Sequence, residues 1–342
     1  MSARVPTVSA SGLALLAEIC RGDSVESVHY GAVAVADNNG RLHYHAGDPE
    51  PAIFSRSTLK PFQALPLIAH PQFDSLEFGS ADIAMSCASH SGESFHVDRV
   101  RSLLERCGYS EADLACGTHA PFYHEALGTW PSADAVFSPL QHNCSGKHTG
   151  MLALAKLLQA PAAGYLEPDH AVQIAILSAV AHCTDVAAGQ LARGTDGCSA
   201  PNYAMPLVRL ARAYAWLAQP PAGDPFADAV DRIRAAMLAN PDLVAGTQRL
   251  DTRLMNALPG ICLSKSGAEA VHCLALPEAG LGVAIKVADG NGRALGCIVA
   301  SVLQQLGISE AASLAEFIEV PLHNARGRQV GLIRPAVTLE PA

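Results

Sequence analysis

A serine and a lysine stand three residues apart in "SRSTLKPFQALPLI", which begins at Ser55. Residues three apart share one face of a helix, so Lys60 could take the proton of Ser57 and turn its hydroxyl into a nucleophile. The same residues allow a plainer reading, with Ser57 capping an apolar helix and Lys60 a solvated charge. Three other segments carry groups suited to the first reading. "VFSPLQHNCSGKHTGMLALA" puts Cys144, Lys147 and His148 at the start of an apolar helix, where backbone N–H groups favour an anion. "AMSCASHSGES" centres on Ser89 and His90, and "GICLSKSGAEAVHC" carries Lys265 into a strand.

Lysine accepts a proton only when neutral. A free amine has a pKa of about 10.4, so bringing it near 7 takes roughly 4–5 kcal/mol. Burial and neighbouring cations produce shifts of that size. A Ser57–Lys60 pair therefore predicts further cations close by, and Lys147 and Lys265 are the candidates. Cys144 and Cys198 lie far apart with no C-x-x-C partner, so spacing alone favours buried thiols over zinc ligands.

Two β-like runs in "SVHYGAVAVADNNGRLHYHAGD" flank Asn38-Asn39-Gly40, a hairpin signal. Pro61 fits only the first turn of the helix after Ser57, and Pro66 should bend or interrupt it. "VDRVRSLLERCG", "KHTGMLALAKLL", "DHAVQIAILSAVAHC", "PNYAMPLVRLARAYAWLA" and "PFADAVDRIRAAMLAN" show helical spacing. "GAEAVHCLALPEAGLGVAIKVADGNG" predicts two or three strands, "GRALGCIVASVLQQLG" a closing helix, and "EVPLHNARGRQVGLIRPAVTL" an irregular or partly extended tail. The expected fold class is α+β, an antiparallel sheet built from both chain ends plus a large helical region. One domain over 1–342 with two lobes is expected: a sheet lobe at about 1–55 and 260–342, and a helical lobe at about 56–259.

With 49% hydrophobic and 16% charged residues, the 342-residue chain can bury a large core. A net charge of −9, without basic patches, argues against nucleic acid and anionic membrane surfaces as partners. No stretch reaches the length of a membrane span, and "MSARVPTVSASGLALLAEICRGD" does not read as a secretion signal. The expected location is the cytoplasm, with the ten cysteines as reduced thiols.

Ser-x-x-Lys, a serine-bearing loop and a Lys-Ser-Gly strand, in that order, resemble the parts of penicillin-recognising serine enzymes. A closer resemblance follows from longer blocks. "SRSTLKPFQA", "SCASHSGE", "HNCSGKHTGML", "DGCSAPNYAMPL", "LVAGTQRLDTRLMNALPG" and "KSGAEAVHC" resemble the successive blocks of the rhizobial-type, class 3 L-asparaginases. That resemblance implies a serine β-lactamase-like fold, a homodimer and hydrolysis of L-asparagine to L-aspartate and ammonia. It implies two catalytic Ser–Lys pairs, Ser57 with Lys60 and Ser89 with Lys265, and substrate contacts from Arg56 and His148. It further implies Zn2+ on Cys144, Lys147 and Cys198, with Asp196 close by as a metal-water or substrate contact. Asp251 stands where many members carry a cysteine near the metal, and could bind a substrate ammonium or metal water. The alternatives are a penicillin-recognising-type serine peptidase or esterase, and a catalytically dead zinc-binding protein.

Overall fold

A computed structural model describes residues 12–308 and 311–342. Residues 1–11, the opening of the segment read above for a secretion signal, lie outside the described residues. By internal contacts the chain divides into two units. The first takes the described residues up to Arg56, then Ala204–Gln219 and Ala257 onward; the second takes Ser57–Tyr203 and Pro220–Asn256.

The first unit is built on an antiparallel sheet of nine strands among the described residues. Its order runs Val320–His323, Gln329–Pro335, Ala14–Arg21, Ser24–Asp37, Leu281–Val287, Val271–Leu276 and Leu263–Gly267, with Leu42–Ala46 and Glu340–Pro341 off this path. Ala17 pairs with Pro335 and Gly31 with Val287, so both chain ends build the sheet, as expected. The Asn38–Gly40 turn forms between Ser24–Asp37 and Leu42–Ala46: Gly40 takes φ +82°, and the Asp37 carboxylate accepts from the N–H groups of Asn39 and Arg41. The tail is more regular than its sequence suggests, because Gln329–Pro335 pairs on both sides.

Helix Leu207–Ala218 packs on strands Leu281–Val287 and Ser24–Asp37. The sequence reading starts this helix at Pro201 and counts it in the helical middle. Instead Pro201–Pro206 is a buried strand whose Met205 pairs with Ile53. Pro206 closes the strand, since it lacks an N–H for the ladder, and its φ of −52° opens the helix. The helix lies so close to the sheet that a Cβ on Gly282 would stand 2.0 Å from the Ala211 carbonyl oxygen.

The second unit is helical. At its centre Lys60–Ile68 packs against Ser145–Leu157, Ala171–Thr184 and Ala227–Ala239. Every residue of Lys60–Ile68 except Pro66 is buried, so the helix needs no polar stripe. Pro61 occupies its first turn as expected, and the helix ends two residues after Pro66. The Ser94, Ser145, Ala171 and Ala227 helices correspond to four of the five segments with helical spacing. Among the described residues no helix is long and apolar enough to cross a membrane.

Candidate active site

Ser57 lies in a 3-10 turn, Arg56–Leu59, that precedes the central helix. The helix's N-cap is Leu59, with no side-chain capping bond, so the expected cap role of Ser57 is corrected. The tight turn inserts a further step between serine and helix, because Pro61 needs the first helical turn. Ser57 is 9% exposed. Arg56, the residue before it, sits in left-handed backbone at φ +52°, uncommon for a side chain other than glycine. Its guanidinium lies 3.8 Å from the Glu269 carboxylate, both in the first unit.

Lys60 is fully buried. Its Nζ donates to Ala88 O at 2.7 Å, Ser89 Oγ at 2.8 Å and Asn143 O at 3.3 Å. Three acceptors match the three protons of an ammonium. The bond to Ser89 Oγ is the side-chain contact among the three. Ser89 follows helix Ser80–Ser86, and its own N–H donates to Val244 O at 2.8 Å. Lys265 is placed in the other unit, on strand Leu263–Gly267, where it is buried and donates to Ser266 O at 2.9 Å.

A second cluster forms where helix Ser145–Leu157 begins. Cys144 precedes that helix, Lys147 and His148 lie in its first turn, and all three are buried. Lys147 Nζ donates to Cys198 Sγ at 2.9 Å, and Cys198 Sγ to Asp196 Oδ2 at 3.8 Å. The hydrogen bond from Cys198 holds Cys144 far below the usual thiol range against the cost of burial, helped by the charges of Lys60 and Lys147. The same bond, with burial, raises Cys198. Burial works against a charge on Lys147, but the electrostatic pull of Cys198, Cys144 and Asp196 outweighs it and raises its pKa.

His148 Nδ1 lies 2.6 Å from the Tyr165 hydroxyl, and its buried Nε2 has no hydrogen-bond partner. Burial lowers its pKa to about 4, so the ring is neutral at pH 7. Asp251 is buried in the first turn of helix Leu250–Ala257. Among the described residues no group of three or more His, Cys, Asp or Glu side chains is placed to hold a metal ion. Two thiols, with the Lys147 amine as third donor, nevertheless fit zinc in donor type, and the unpartnered His148 nitrogen leaves a polar group to spare.

The sequence reading missed the groups that brace these side chains. Gly92 N–H donates to His90 Nδ1, which fixes the tautomer: His90 Nε2–H donates to Ser145 Oγ at 2.8 Å, and Ser145 Oγ to Leu140 O at 2.9 Å. Asn143 N–H donates to His119 Nε2, and Cys144 N–H to His142 Nδ1. His142, buried and beside His119, is pushed down to about 3. The histidines of "SHS", "THA" and "QHN" are the signal for this bracing in the sequence.

A family-level match makes the chain a hydrolase of the asparaginase type. The chain belongs to the L-asparaginase II family, whose model matches residues 17–335. Among solved structures the chain is similar to Mglu in its native form, at 15% identity and a TM-score of 0.46, covering 83% of this chain and 67% of that one. It is also similar to a β-lactamase from Mycobacterium bovis, at 14% identity and a TM-score of 0.37, covering 80% of this chain and 94% of that one. The chain thus spans about two thirds of the length of Mglu, and no activity is carried over from either structure. A search of curated proteins finds no match.

Proposed function

We propose that this chain is an L-asparaginase that hydrolyses L-asparagine to L-aspartate and ammonia through an acyl-serine intermediate. The observation that carries the proposal is the 2.8 Å bond from Lys60 Nζ to Ser89 Oγ, within a chain of the L-asparaginase II family. Ser57 Oγ attacks the side-chain amide carbon, and its proton passes to the neutral amine of Lys60. The C–N bond then breaks as a proton reaches the amide nitrogen, from Lys60 through the Ser89 hydroxyl, and ammonia leaves. Water adds to the aspartyl ester and returns the proton to Ser57 as L-aspartate is released. Backbone N–H groups hold the oxyanion. A homodimer working in the cytoplasm belongs to this reading, on the family resemblance.

The test combines ammonia release with mass spectrometry of the protein quenched during turnover. Ammonia is expected from L-asparagine, with the added aspartyl mass on the Ser57 peptide. An adduct on Ser89 with Ser57 unmodified overturns the choice of nucleophile. Opening of a chromogenic β-lactam with no ammonia from L-asparagine overturns the substrate.

Cys144, Lys147 and Cys198 would hold Zn2+, which supplies a positive charge that orients an anionic substrate group and keeps Lys147 neutral. Around it, Asp196 and His148 orient the substrate. Calorimetric titration with Zn2+ is expected to give one site per chain in the wild type. Cys198→Ser should weaken binding at least tenfold, since it replaces a soft thiolate with a hydroxyl. Equal affinity in the two proteins would remove zinc from this cluster.

A further inference from the structure

We propose that Glu93 is a positioning residue that holds Ser89 against Lys60 by clamping the 244–247 segment onto the Ser89 loop. The inference rests on the reading of Ser89 and Lys60 given above.

Glu93 is the N-cap residue of helix Ser94–Cys107, yet its side chain makes no capping bond. Its carboxylate turns instead to two loops. Oε1 accepts from Ser91 Oγ at 2.6 Å and from Thr247 N–H at 2.9 Å, and Oε2 accepts from Thr247 Oγ1 at 2.7 Å. Two residues before Ser91, Ser89 N–H donates to Val244 O, three residues before Thr247. The two loops are therefore joined twice, once at Ser89 itself and once through Glu93.

The backbone between these joints has little room to adapt. Gly246 has φ +118°, and a Cβ there would stand 1.9 Å from Ser91 Oγ and 2.8 Å from Glu93 Oε1. Only glycine lets the loops approach this closely. Thr252 Oγ1 donates to Gly246 O at 2.8 Å and to Pro241 O at 3.1 Å, which ties the segment to the helix that carries Asp251. Without the Glu93 joint, the Ser89 N–H···Val244 bond and the 2.9 Å contact of His96 Nε2 with Asp242 O would remain, both before residue 245. Ser89 Oγ would then sample positions beyond reach of Lys60 Nζ. Displacements of about 1 Å at a reacting group cost on the order of a hundredfold in rate.

Glu93→Gln replaces one acceptor oxygen with a donor, so the carboxamide cannot accept all three bonds. The test measures kcat and KM for ammonia release in Glu93→Gln, Thr247→Val and Thr247→Ser, with melting temperatures and peptide-level hydrogen exchange. Glu93→Gln and Thr247→Val are expected to lower kcat at least tenfold and to shift KM less than threefold. Thr247→Ser, which keeps the hydroxyl donor, should retain kcat within threefold of wild type. In the first two variants the peptide containing Ser89 should exchange faster, while the melting temperature stays within a few degrees. Wild-type kcat in Glu93→Gln, or a loss in Thr247→Ser equal to that in Thr247→Val, overturns the clamp. If the wild type releases no ammonia from L-asparagine, the substrate reading falls. Hydrogen exchange then decides the clamp: faster exchange at Ser89 in Glu93→Gln sustains it, and unchanged exchange overturns it.

Discussion

Replacing Lys60 with methionine lowers kcat for ammonia release by about a thousandfold or more, the loss expected when a proton acceptor acts as one unit with its nucleophile. Methionine fills much of the space of the lysine stem but offers no donor to Ser89. The stability change should be much smaller, because two effects oppose. The carbonyls of Ala88 and Asn143 and the Ser89 hydroxyl lose their shared donor, at about 1–3 kcal/mol for each buried group left unsatisfied. Against this, the cost of burying a polar amino group is removed. Circular dichroism and a thermal melt should show a folded protein that melts within several degrees of wild type. Activity within tenfold of wild type in a folded Lys60→Met protein would show that Lys60 only fills and bonds the core.

The second large effect concerns the fold. Gly282→Ala places a Cβ 2.0 Å from Ala211 O and 2.2 Å from Ala215 N, both backbone atoms of helix Leu207–Ala218. No side chain can rotate away to make room, so the helix must lift from strands Leu281–Val287 and Ser24–Asp37. Overpacking of this kind costs about 3 kcal/mol or more, at the upper end for core insertions. A fall in the urea midpoint with little change in slope is the expected signature. A midpoint unchanged within error would mean that the helix is not held as closely as Gly282 requires.

What the sequence discloses about this protein follows how local each determinant is. The Asn38–Gly40 hairpin is legible because its turn residues and flanking strands are contiguous. The strand at Pro201–Pro206 is not, since its apolar run continues without a break in hydrophobicity into helix Leu207–Ala218. Only pairing with Ala52–Phe54 makes it extended. The same distinction runs through the site. The Ser57–Lys60 spacing prompts the proposed chemistry, but the bond from Lys60 to Ser89 depends on how helix Ser80–Ser86 packs, which spacing within the motif cannot express. Lys147 and Cys198 meet across 51 positions by packing as well. Glu93 carries no motif of its own and stands out only through the two loops it joins.

The pairing of both chain ends in one sheet also sets an order of events during synthesis. Strands Ala14–Arg21 and Ser24–Asp37 leave the ribosome well before their partners at Leu281–Val287 and Gln329–Pro335. At about 5–20 residues per second, the early strands wait roughly 15–60 s for those edges to be covered. Ala32–Ala36, buried on the finished sheet, can pair early with Leu42–Ala46 on one edge, while its other edge lacks Leu281–Val287 for that interval. The helices between Ser57 and Tyr203 have mostly local partners and can assemble meanwhile. Slower misassociation at low temperature, or a holdase bound to the early strands, is therefore expected to raise the yield of folded chains.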